Sequence, residues 1–332
     1  MFAVRSRPVN SSISERIAVR AMPVANGKMS HVQFQIMSDL HLETPQARPT
    51  YDEFEIQARC PHLALLGDIG SVSDHLLFDF LERQLQQFEI VFYLLGNHEP
   101  YGISLLSTKA TMRHFEANVE QRRISSRSRM AKFVFLDQTR YDCSEDLTVF
   151  GCTLFSRIAS KQRESVSRFV ADFSNIDGWT TESHNSAHQA DLDWLNSQIS
   201  HCARKEPHRS IVVFTHHSPT VLQVANDPNH VQDLSQVRSA FVTDLSGETC
   251  WTTDQVKVWG FGHTHFNCDF QDPQTRKQVV ANQKGYRRAE LDTFSGVKVV
   301  TVGIRQRPDT KESKRGQGQR TVKSKLNDCV VL

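Results

Sequence analysis

The chain has no apolar run approaching the roughly 18 residues expected of a membrane-spanning helix. Its first residues also lack the apolar segment of a secretory signal. These absences predict a protein that stays inside the cell. C-x-x-C pairs are missing too: the seven cysteines, Cys60, Cys143, Cys152, Cys202, Cys250, Cys268 and Cys329, are scattered along 332 residues and odd in number. Neither a disulfide framework nor a thiolate zinc site is therefore expected, and most of them should be small buried hydrophobes. No internal repeat is present.

Net charge is only +2, but it is unevenly spread. Residues 1–30 carry Arg5, Arg7, Arg16, Arg20 and Lys28 against Glu15, a net +4, and residues 304–332 carry +5, which leaves −7 on residues 31–303. An acidic body makes long nucleic acid an unexpected partner, because such binding draws most of its affinity from Lys and Arg neutralising phosphates. The chain divides into a disordered basic extension (1–30), a patterned body (31–303) and a disordered basic tail (304–332). The Ser- and Arg-rich extension has the composition of a mitochondrial transit peptide, but a plain disordered extension is the reading adopted.

Within the body, short β-rich runs at residues 32–37, 62–66, 90–95, 211–215 and 255–259 alternate with helical stretches at 74–87, 105–121 and 186–204. That alternation reads as β-α units. Residues 133–136 and 147–150, on either side of a polar stretch, read as a strand pair. Residues 268–270, 277–282 and 296–302 suggest further strands without helices between them, so an α/β sandwich with a final antiparallel portion is expected.

Each of the five clearest runs is followed by a short motif: Asp39-Leu40-His41, Gly67-Asp68, Gly96-Asn97-His98-Glu99, His216-His217 and Gly262-His263-Thr264-His265. Ligands in such folds sit at the carboxyl ends of strands. Asp39 and His41, two residues apart past a strand, can face one ion. Asp68 offers two carboxylate oxygens and can bridge two ions. Asn97 offers an amide oxygen, and His216, His263 and His265 offer imidazole nitrogens. Oxygen and nitrogen donors without thiolate suit Mn, Zn or Fe better than Ca or Mg. His217 reads as supporting its neighbour, since adjacent side chains rarely aim at one ion. His184, Asn185 and His188 could edge a pocket, and surface helix-cap positions are the reading adopted for them.

The series D-x-H, G-D, G-N-H-E, H-H and G-H-x-H resembles the calcineurin-like metallophosphoesterase superfamily over about residues 32–303. Residues 38–43 (SDLHLE), 96–102 (GNHEPYG), 151–156 (GCTLFS), 215–219 (THHSP) and 279–286 (VVANQKGY) point to its cytosolic single-domain phosphoesterases. The resemblance implies a four-layer α/β/β/α sandwich with mixed sheets. It implies Asp39, His41, Asp68 and His265 around one divalent ion, and Asp68, Asn97, His216 and His263 around the other. It further implies hydrolysis of a phosphate ester, on a small molecule or a phosphoprotein: a metal-bridged hydroxide attacks phosphorus in line and His98 assists the leaving group. Glu99 is expected to orient His98, since a catalytic His needs a supporting acceptor. The alternative is a catalytically weak metal-binding scaffold that recruits protein partners. Substrate contacts are expected in residues 100–211.

The last four residues, Cys329-Val330-Val331-Leu332, match a C-a-a-X box with a basic stretch upstream. A prenyl chain plus a basic patch would attach a cytoplasmic protein to an anionic membrane, an address incompatible with a mitochondrial presequence. In a eukaryotic host the C-terminal peptide should carry a geranylgeranyl group on Cys329. A mass spectrum showing only the unmodified peptide ending in Leu332 rules this out.

Overall fold

The computed structural model describes residues 29–126, 130–228, 236–286 and 293–305. The basic extension before Met29, the tail after Arg305 and the Cys329 box lie outside the described residues. Eleven strands run in the order β1 (Met29–Met37), β2 (His62–Leu66), β3 (Ile90–Leu94), β4 (Lys132–Phe135), β5 (Thr139–Ser144), β6 (Leu147–Gly151), β7 (Ser210–Phe214), β8 (Val256–Phe261), β9 (Cys268–Gln271), β10 (Gln278–Ala281) and β11 (Val299–Arg305) among the described residues. The helices used below are α1 (His75–Leu85), α2 (Leu105–Ser125), α3 (Arg163–Phe169), α4 (Asp172–Asn175), α5 (Thr181–Lys205) and α6 (Thr249–Thr252).

The strands form two mixed sheets, ordered β11-β1-β2-β3-β4 and β5-β6-β7-β8-β10-β9. The central strands β2, β3, β6 and β7 are nearly continuous apolar runs because both faces are covered. Alternate residues serve different layers. Phe34, Ile36, Ala64, Leu66, Phe92 and Leu94 of the first sheet meet Val149, Val212, Phe214, Val258 and Val280 of the second. The outward set Leu63, Leu65, Val91 and Tyr93 packs on Leu77, Phe80 and Leu81 of α1 and Met112, Phe115 and Val119 of α2. On the far side, Ile211, Val213, Trp259 and Val279 pack on Leu192, Leu195 and Ile199 of α5 and Trp251 of α6. The result is the expected four-layer α/β/β/α sandwich.

Parallel pairing of β1, β2 and β3, and of β7 and β8, points their carboxyl ends the same way within each sheet. β11 closes the first sheet antiparallel against β1, and β9 pairs antiparallel with β10, which supplies the antiparallel portion.

Two expectations need correction. Residues 133–136 and 147–150 do not pair: β4 lies against β3 in one sheet, whereas β6 lies between β5 and β7 in the other. The polar stretch between them contains β5, an edge strand whose one open side tolerates Arg140 and Asp142. The second correction concerns α5, which starts at Thr181 behind a capping box of Thr180 and Ser183. His184, Asn185 and His188 therefore lie inside the helix rather than at its cap. His184 and His188 are fully buried, and Asn185 accepts from the Ile158 amide at 2.8 Å.

Phe214 is fully buried between the sheets. Phe214→Ala should cost about 3–5 kcal/mol, transfer and cavity together. Chemical denaturation checks it, and a loss near ~1 kcal/mol would mean that this layer is not the packed centre described.

Candidate metal centre

The five motifs converge where the carboxyl ends of β1, β2, β3, β7 and β8 face one another across the two sheets. The chain turns sharply as it leaves these strands, and Asp39, His41, Asp68, His263 and His265 all adopt positive φ, between 46° and 72°. Non-glycine residues rarely accept that conformation, and it collects at functional sites where the surrounding structure enforces it. The motif glycines have a direct reason. A Cβ on Gly67 would stand 2.5 Å from His216 Nδ1, and one on Gly96 would strike Asp68 Oδ1. Only glycine lets the G-D and G-N-H-E turns approach this closely.

The seven expected ligands form two groups. Donor atoms of Asp39, His41 and His265 lie within 4.8 Å of one another, as do those of Asp68, His216 and His263. Asn97 joins the second group, its Oδ1 at 3.1 Å from His216 Nε2. Asp68 stands between them, with Oδ2 at 3.8 Å from His41 Nε2 and 3.5 Å from His216 Nε2.

The donor chemistry fits divalent cations. His41 Nδ1 faces Glu43 at 3.3 Å, which leaves Nε2 to face His265 Nε2 at 3.1 Å. His216 Nδ1 donates to the Leu66 carbonyl at 2.8 Å, so its Nε2 faces the oxygens of Asn97 and Asp68. Lone pairs converging in this way need a proton or a metal ion between them, and a hydrogen bond on the other ring nitrogen is the usual support for an imidazole ligand. Asp39 and Asp68 are essentially buried. Burial alone would raise both, yet the imidazoles around them hold both carboxyls below the ordinary range. Burial would likewise lower His216, but Asp68 and Asp39 outweigh it and raise its pKa to about 10.

His98 lies beside the two groups, its ring 4.5 Å from that of His41, and its donor atoms cluster with those of His41 and Glu43. Its amide donates to Asp68 Oδ1 at 2.9 Å and its ring stacks on Tyr101 at 4.3 Å. Burial pulls its pKa down, but Asp68 and Glu43 prevail and raise it to about 9. The expected role of Glu99 needs correction. Glu99 is fully buried under the loop and accepts from the amides of Asp68, Ile69 and Gly96 and from the Tyr93 hydroxyl. It clamps two motif turns together and does not orient His98. The carboxylate beside His98 Nδ1 is Glu43, at 3.4 Å. Burial would raise Glu43, but hydrogen bonds from His41 and His98 bring it to about 2. His217 lies against His263, ring centroids 3.9 Å apart, away from the shared carboxylate.

Several contributors escaped sequence reasoning. Glu43 lay inside a quoted motif with no role given to it. Asp172, at the start of α4, accepts from Asn97 Nδ2 at 2.8 Å and from the Tyr101 hydroxyl at 2.7 Å, which fixes the amide with its oxygen toward His216. Nothing in residues 100–211 marked it. Tyr286 stacks on His41 at 4.0 Å, and its hydroxyl lies 2.7 Å from His98 Nε2. Gln283 accepts from the His265 amide at 2.6 Å and secures the G-H-x-H turn.

A sandwich of two mixed sheets with paired Asp and His clusters at one end is the arrangement of a metal-dependent phosphoric ester hydrolase. The model of the calcineurin-like phosphoesterases matches residues 33–267, and the chain belongs to that family. Uncharacterized protein L509 of Acanthamoeba polyphaga mimivirus is 23% identical over 238 residues, which cover 68% of this chain and 78% of the viral protein. The phosphopantetheinyl hydrolase of Mycobacterium tuberculosis superposes with a TM-score of 0.55 at 12% identity, over 85% of this chain and 98% of that one, a likeness of fold. A dimetal phosphatase from Danio rerio aligns with a TM-score of 0.44 at 14% identity, over 82% of this chain and 92% of that one.

Asp172→Ala should free the Asn97 amide and weaken binding of Mn or Zn about 10- to 100-fold, the usual scale for removing a group that orients a ligand. Isothermal titration checks it, and unchanged affinity and stoichiometry would refute the orienting role.

Proposed function

We propose that the protein holds two divalent ions, Mn, Zn or Fe, through Asp39, His41, Asp68 and His265 on one side and Asp68, Asn97, His216 and His263 on the other, and hydrolyses a phosphate ester between them and His98. The observation that carries this reading is the position of Asp68, within 4.0 Å of nitrogens from His41, His98 and His216 at once. Bound there, the ions supply positive charge for a phosphoryl group and acidify a water molecule.

The remaining work falls to side chains. His98 is set by the Asp68 carboxylate, the Glu43 carboxylate and the Tyr101 ring, so its proton is available to a leaving oxygen. Its side chain is 18% exposed, against none for His41 and His216. It can therefore meet a substrate that the buried ligands meet only through a metal. A cleft of about 370 Å³ opens directly onto Asp68, Asn97, His98, His263 and His265, a size suited to a small phosphate ester.

His98→Ala and Asp68→Asn should each lower kcat on an aryl phosphate by at least about 100-fold. Unchanged turnover in both variants would sink the proposal. The two should differ in metal content: His98→Ala keeps both ions by mass spectrometry, whereas Asp68→Asn loses one or both. Mn should also raise the melting temperature of chelator-treated protein, because an ion that binds only the folded state stabilises it.

A further inference from the structure

The cleft over the metal centre is two-faced. One end is the Asp, Asn and His cluster. The rest is mostly apolar, with Phe169, Val170, Val237, Phe241 and Val242 along the wall. This wall begins at the metal centre itself, since the Phe241 ring lies nearly parallel to that of His263, centroids 5.0 Å apart at 21°. It also rests on its own small core: Ile158, Val166, Val237 and Ala240 cluster with Val170, Phe173 and Phe241, apart from the three cores of the sandwich. Phe169, at the end of α3, is 65% exposed. A phenyl group left in water beside a catalytic cleft gains by being covered.

A second cleft meets the first at His98, Tyr101 and Tyr286 and is more polar. Glu43, Thr44, Ser71, Ser73, Asp74 and His75 line it. The apolar part of an ester gains less there than along the Phe169, Val237 and Phe241 wall.

From these two faces we infer that the preferred substrate is a phosphate ester whose alcohol part is apolar and about the size of a bicyclic aryl group, seated along Phe169, Val237 and Phe241 while the phosphoryl group meets the metal cluster. The inference rests on the hydrolase reading above and names the substrate class for the same site. Burying an aryl group of this size against such a wall is worth about 10- to 100-fold in kcat/KM.

The test uses the Mn-loaded full chain and three phosphates of primary alcohols, so that leaving-group acidity stays comparable: ethyl phosphate, glycerol phosphate and 2-(1-naphthyl)ethyl phosphate. The naphthylethyl ester should exceed both others in kcat/KM by at least about tenfold. Phe169→Ser, at an exposed position that folding tolerates, and Val237→Asn should each shrink that ratio, and Phe169→Leu should restore part of it. A wild-type ratio within about threefold of one, or a ratio that neither polar variant moves, overturns the inference. Calorimetry with naphthylethylphosphonate and ethylphosphonate, which cannot be hydrolysed, separates the two readings. Preferential binding of the naphthyl compound, lost in Phe169→Ser, supports the apolar seat even if no ester is turned over, an outcome that would instead refute the hydrolase reading. Equal binding of the two phosphonates counts against the seat whatever the turnover.

Discussion

Asp68 places a carboxylate charge at the seam of two sheets with 2% of its side chain exposed. A charge so far from water persists only where opposite charge and hydrogen-bond donors are fixed around it. Much of the surrounding structure answers that demand. The His98 amide reaches Oδ1, and His216 and His41 approach Oδ2 from either side. The turns on each flank carry glycines because any larger residue would collide with this carboxylate or with the His216 ring that faces it. Glu99, directly beneath, shows the cost of the arrangement. Burial and the nearby Asp68 charge raise its pKa to about 7, although three backbone amides hydrogen-bond to it.

The sandwich makes this concentration of charge tolerable. Backbone in the left-handed region at five ligand positions is strained, and strain of that kind persists only where rigid neighbours leave no alternative. Here the neighbours are parallel strands buried on both faces, so each turn is anchored at a strand end that cannot shift. The proposed ligands also arrive from both sheets: Asp39, Asp68 and Asn97 follow β1, β2 and β3, whereas His216, His263 and His265 follow β7 and β8. The site is therefore a product of sheet-on-sheet packing, and the inter-sheet layer of Phe34, Phe92 and Phe214 holds its two halves in register.

That dependence explains what was legible in the sequence. That Asp39, His41, Asp68, Asn97, His216, His263 and His265 would meet could be read because each sits within a few residues of a strand end, and strand ends are marked by local pattern. The four-layer fold followed from the resemblance those same motifs carry. Asp172 and Phe241 could not be read, since they reach the site from helical and turn segments far along the chain, where neither spacing nor periodicity marks them. The pairing error has the same origin. Residues 133–136 and 147–150 are both apolar enough for a strand, but a short run does not name its partner, and a sandwich offers two sheets to join. Glu99 was misjudged because a catalytic His needs a carboxylate acceptor and the motif offers one, whereas the backbone amides of two turns claim Glu99 and the acceptor beside His98 is Glu43, from another motif.

His98 and His217 show how the groups that face a ring, more than residue type, set its charge in this centre. Both rings lie near metal-ligand positions, and both follow a ligand residue directly in sequence. His217 is fully buried among Phe155, His184 and His263, and neither of its ring nitrogens has a hydrogen-bond partner among the described residues. Burial, reinforced by His263 and His216, disfavours its charged form, and it serves as packing behind His263. His98 also loses solvent, but it faces the carboxylates of Asp68 and Glu43, which more than offset that loss. It keeps its proton and opens onto both clefts. A carboxylate pair beside one ring and a wall of rings around the other shift two neighbouring imidazoles in opposite directions.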